Sequence, residues 1–62
     1  MQWKPMWVEL PRAVPKPGGL VCHKQLKTVS RVTQVKGLEL QLQSGNKTHW
    51  EMWENWVVVK HS

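Results

Sequence analysis

The chain contains no aspartate, no phenylalanine and no tyrosine, and a single cysteine, Cys22. One cysteine cannot close an internal disulfide, so the fold has to stand on its core. Without aspartate the usual acid of a Ser-His-Asp arrangement is missing. Neither Ser30, Ser44 nor Ser62 sits in a Gly-x-Ser-x-Gly elbow. Cys22 and His23 are neighbours, so on a strand they point to opposite faces and cannot serve directly as nucleophile and base. Cys22 therefore reads as a small core residue. Cys22, His23, His49 and His61 include no close-spaced ligand pair, so no metal is expected, and His61 near the terminus reads as solvated. Gly18-Gly19 follows prolines and opens no helix, which removes a phosphate cradle. No enzyme activity and no cofactor are expected.

Long apolar runs are also missing. No segment approaches the ~20 apolar residues of a transmembrane helix. The N-terminal stretch from Met1 to Leu10 carries Lys4, Pro5 and Glu9 in place of a signal-peptide core. Asn46-Lys47-Thr48 matches a glycosylation pattern but has no secretory signal to give it weight. No stretch combines a wide apolar helical face with a basic one, so membrane-surface binding is set aside. A soluble, cytoplasmic protein is expected. Starting on Met without a visible tag, the chain reads as a complete small frame of the kind frequent in phage, plasmid and prophage DNA. Its 62 residues fit a single domain, 1–62, with no room for a cofactor-binding half beside a substrate-binding half. A chain of that size buries only about 60% of its unfolded surface and is stable by a few kcal/mol.

What the sequence does have is positive charge, unevenly placed. Nine Lys and Arg oppose four Glu, a formal net charge of +5. Between Glu9 and Glu39 there is no carboxylate, while Arg12, Lys16, Lys24, Lys27, Arg31 and Lys36 all fall there. The C-terminal part, with Glu39, Glu51 and Glu54 against Lys47 and Lys60, is nearly neutral. A basic half beside a neutral one suits a polyanion, because each neutralised phosphate releases condensed counterions. Solubility alone is the competing account of the same charge.

Residues 11–19, Pro-Arg-Ala-Val-Pro-Lys-Pro-Gly-Gly, form a long loop and not a domain linker, with a turn at Pro17-Gly18-Gly19. The spacing predicts strands at 6–10, 20–23, 27–36, 38–44, and 47–53 or 56–61, with a single helical turn at 53–55. A short helix through Trp3 and Trp7 is weaker because Pro5 lies between them. Val29, Val32 and Val35 are three apart, so strict alternation fails once and a bulge or bend is required. Lys36-Gly37 and Ser44-Gly45-Asn46 are turns. Leu38 to Gln43 alternates without error. Around Thr48-His49-Trp50-Glu51 a capping box competes with a strand, since Trp50, Trp53 and Trp56 also fit one helical side.

This order of elements resembles the SH3-like small barrel, in which a long first loop precedes a meander and a 3-10 turn precedes the last strand. The resemblance implies an all-β, five-stranded SH3-like barrel whose first loop is the Pro-rich one; closure would leave few exposed edges. A small open sheet completed by dimerisation is the alternative, so a monomer or a homodimer is expected.

Tryptophan performs every aromatic task here, at Trp3, Trp7, Trp50, Trp53 and Trp56. Trp50 and Trp56, in or beside apolar runs, are expected in the core, and Trp3, Trp7 and Trp53 at the surface. An exposed indole beside a basic stretch can stack bases while cations hold phosphates. The leading expectation is a non-enzymatic nucleic-acid-binding module, DNA ahead of RNA. Its site residues are Arg12, Lys16, Lys24, Lys27, Arg31, Lys36, Trp7 and Trp53. The rival is a protein-interaction module with a Trp-lined groove for an extended or Pro-rich peptide of a host protein. Glu51 and Glu54 beside Trp50 and Trp53 also permit an aromatic cage for methylated lysine.

Overall fold

The structure is a computed structural model that describes residues 6–61. The chain runs through β1 (Trp7–Leu10), β2 (Leu20–His23), β3 (Val29–Lys36), β4 (Glu39–Ser44), β5 (Lys47–Met52), a 3-10 turn (Trp53–Asn55) and β6 (Trp56–His61). All six strands belong to one antiparallel sheet in the order β1-β6-β2-β3-β4-β5. The fold is all-β, as expected, but the five-stranded closed barrel is not what forms. Residues 47–52 and 56–61 both become strands, giving six among the described residues. The outer edges β1 and β5 do not pair with each other. The capping-box helix at 48–51 also gives way to strand β5, because each of its residues faces a partner on β4.

Local chemistry fixes the meander. Lys36 faces Glu39 and Ser44 faces Lys47, so both hairpins turn in two residues, Gly37-Leu38 and Gly45-Asn46. Gly37 and Gly45 have φ of 61° and 63°, while Leu38 and Asn46 do not have positive φ. Positive φ at the first central position alone is the type II′ turn, whose twist matches that of the strands. Register shifts between Val32 and Gln34, so Val32 faces Leu42 and Val35 faces Leu40. The bulge at Thr33 thus returns two valines three apart to one face, as their spacing requires. The Thr33 hydroxyl lies 3.1 Å from the Gln41 carbonyl and 3.0 Å from Gln41 Oε1, and its single proton can go to either.

One side of the sheet is the core. Val21, Val32, Leu40 and Leu42 are completely buried on it, with Trp56 at 6% exposure and Val35, Trp53 and Val58 packed alongside. No second layer is present among the described residues, so a single sheet can hide these side chains only by curling over them. Each fully buried aliphatic contributes roughly 1.5–3 kcal/mol. On the other side, Cys22 and Val59 are buried. That half of the outer side, on β2 and β6, is covered. The half formed by β3, β4 and β5 is open.

Candidate nucleic-acid interface

Residues directly opposite in an antiparallel ladder point to the same side of the sheet. Leu42 and Leu40 face His49 and Glu51, which sets the core side of β4 and β5. The outer side is then Arg31, Gln34 and Lys36 on β3, Gln43, Gln41 and Glu39 on β4, and Thr48, Trp50 and Met52 on β5. All but Gln41 are exposed. The result is a polar, solvent-facing ribbon three strands wide. A row of Gln34, Gln41 and Trp50 crosses it, and Arg31 and Lys36 stand along β3.

Trp50 is the residue that sequence reasoning misplaced. It was expected in the core and is 41% exposed. It does alternate with its neighbours, but it lies on an edge strand and opposes Gln41, on the side away from Leu40 and Leu42. Glutamines at 41 and 43, alternating with the buried Leu40 and Leu42, carry the signal that this side is wet. Trp56 is buried as expected. Its Nε1 has no hydrogen-bond partner, and its ring meets His23 edge-on at 5.0 Å.

The six cations of the carboxylate-free window are all exposed, and they fall into three pairs. Arg31 and Lys36 share the outer side of β3, on the order of 16 Å apart along the strand. Lys36 stands directly opposite Glu39. Lys24 and Lys27 occupy the β2–β3 loop at the start of that strand. His23 organises this loop: its Nδ1 accepts from the amides of Gln25 and Leu26, both at 3.1 Å, and its carbonyl accepts from Lys27 N at 2.9 Å. Lys27 itself adopts a left-handed φ of 62°. Arg12 and Lys16 lie in the Pro-rich loop. The Lys16 carbonyl accepts from Gly19 N, and the Gly19 carbonyl accepts from Val32 N, which anchors Lys16 beside the middle of β3. Among the described residues the single side-chain ion contact is His49 Nε2 to Glu51 Oε2, at 3.7 Å, so none of these cations is held in an ion pair.

The tryptophans chosen from the sequence are elsewhere. Trp3 lies outside the described residues. Trp7 is half-buried on β1, edge-on to His61 at 4.9 Å and three strand spacings from β3, about 14 Å along the sheet. Trp53 is half-buried in the 3-10 turn and packs against the core. It lines an apolar cleft of about 380 Å³ with Leu38, Met52 and Glu54. On the core side a second cleft, of about 350 Å³, includes His23, Ser30, Ser44, His49, Glu51 and Trp56. Among the described residues no three His, Cys, Asp or Glu side chains converge as a metal site. No helix among them is long and apolar enough to cross a membrane. No family model, curated protein or solved structure matches the chain.

Proposed function

We propose that this chain is a small, non-enzymatic nucleic-acid-binding module that lays a single-stranded segment across the outer side of β3, β4 and β5. The observation that carries the reading is Trp50, an exposed indole halfway along the β5 edge of a polar ribbon whose β3 side carries the unpaired cations Arg31 and Lys36. A base can stack on that ring, while glutamines at 34, 41 and 43 offer donors and acceptors to base edges and sugars. Lys16, Lys24 and Lys27 flank β3 and extend the positive track. Arg12 is a more distant contribution to the field. In this reading Trp50 takes the stacking role that the sequence had suggested for Trp7 or Trp53. Affinity comes mainly from the backbone, with modest sequence preference, and DNA is the first polymer to test.

The test is a titration of the full chain with a 12-nucleotide oligo-dT and with a duplex, at two salt concentrations. Binding is expected to weaken steeply with salt, and Arg31→Gln to lower the log–log slope by about 0.7 for a single strand. Trp50→Ala is expected to weaken single-strand binding roughly tenfold to a hundredfold, the value of one stacked base. Salt-independent binding, or an unchanged affinity in Trp50→Ala, sinks the reading.

A second reading has its own observation. The cleft between Leu38, Met52, Trp53 and Glu54 is apolar with one acidic wall, and Leu38 is 69% exposed there. It suits an apolar side chain next to a cation on a host peptide. The long loop after the first strand, the 3-10 turn before the last one and the adjacency of β1 and β6 also support an opened variant of the SH3-like arrangement. Under this reading Trp53→Ala abolishes binding, and charge reversal at Lys24 and Lys27 leaves it intact.

A further inference from the structure

The geometry points to β5 as a self-association edge: it pairs antiparallel with β5 of a second copy about a two-fold axis at Trp50. An open edge strand is a template for another strand, and proteins usually blunt it with shortness, proline, bulges or charge. The β1 edge is blunted, being four residues long with Pro5 and Pro11 on either side of it. The β5 edge is six residues long, contains no proline and holds an unbroken register with β4. Every residue of it except Glu51 is exposed.

Which backbone groups face outward follows from the hairpin. In a two-residue turn the closing pair, here Ser44 and Lys47, exchanges both hydrogen bonds, and bonded pairs then alternate. Lys47, His49 and Glu51 therefore point their N–H and C=O groups at β4. The bond from Trp53 N to the Leu38 carbonyl continues that alternation. Thr48, Trp50 and Met52 turn theirs to the open side.

A second β5 can satisfy all three residues in one register, with Trp50 opposite Trp50 and each Thr48 opposite the other copy's Met52. This register also sets each His49 opposite the other copy's Glu51 on the core side. The same two residues already approach to 3.7 Å within one chain. Each carboxylate would then have an imidazole on both flanks. The register one step away puts His49 against His49 and each Lys47 against the other copy's Glu51, but it carries Met52 past the end of the partner strand to Asn46 of the turn, so the number of satisfied backbone groups selects the first. An isologous contact of this kind is self-limiting, because it consumes the edge that makes it. The contact is one strand wide, so association is expected in the micromolar-to-millimolar range.

Sedimentation equilibrium of the full chain between about 10 µM and about 1 mM, without nucleic acid, tests this independently of the binding function. The mass is expected to climb from 7.3 kDa towards twice that value. Thr48→Pro removes an outward N–H and leaves the β4 ladder intact, as proline is tolerated on edge strands. It is expected to keep the circular dichroism of the parent and to stay at the chain mass throughout. His49→Glu and Glu51→Lys should each weaken association at least tenfold, and an equimolar mixture of the two should restore it. A parent chain that stays at 7.3 kDa at the highest concentration overturns the proposal. So does a Thr48→Pro chain that associates like the parent, or charge variants that associate unchanged. If Thr48→Pro fails to fold, the charge pair decides. A monomeric parent that instead takes up an extended peptide along β5 gives the edge to a foreign strand and equally ends the dimer.

Discussion

Trp56 combines the largest buried side chain of the core with an indole N–H that has no partner. An unsatisfied buried donor costs about 1–3 kcal/mol, and a fully buried aromatic ring stabilises by more than that. The two effects separate by substitution. Trp56→Ala should lose about 3–5 kcal/mol, close to the whole stability of so small a chain. Trp56→Phe sheds the orphan donor along with part of the ring, and should lose less than about 1.5 kcal/mol. Urea denaturation followed by circular dichroism compares them; equal losses would mean that the ring retained by phenylalanine contributes nothing at this site. Trp56 and Trp50 looked alike in the sequence, since both border apolar alternation. What separates them is which strand lies at the edge, and that is decided by the pairing of β6 with β1 and β2, far away in the chain.

The hairpins were legible because their determinants are local: glycine at the first turn position, and alternation on either side. The bulge was legible for the same reason, since three valines at a spacing of three cannot share a face in a regular strand. The turn at 53–55 and the strand after it were also legible, whereas the choice between strand and helix at 47–53 was not. A capping-box sequence has real helical preference, but β4 offers six cross-strand partners where a helix would have offered one or two turns. Strand β5 should carry a signature of its edge position in hydrogen exchange. At concentrations where sedimentation shows a single chain, the amides of Thr48, Trp50 and Met52 should exchange far faster than those of His49 and Glu51. NMR exchange rates that rise and fall with odd and even numbering support that orientation. Uniform protection along β5 would contradict it.

The whole sheet has an asymmetry that composition hinted at and topology redistributes. The basic window was visible in the sequence, and so was the near-neutral end. What could not be read was that the cations separate into a strand pair and two loop pairs, with Glu39, Glu51 and Glu54 at the β4–β5 side. Strand order also fixes how the chain's ends meet. Trp7 faces His61 and Glu9 faces Val59, so the first and last strands are neighbours although nearly the whole sequence lies between them. That pairing is the slowest contact to find, because the loop it closes is the longest. Tying the ends together with a few glycines and cutting the chain between Gly45 and Asn46 would convert it into a local hairpin. The circularly permuted protein should then refold faster than the parent in stopped-flow mixing, and an unchanged rate would mean that β1 docks only after the rate-limiting step.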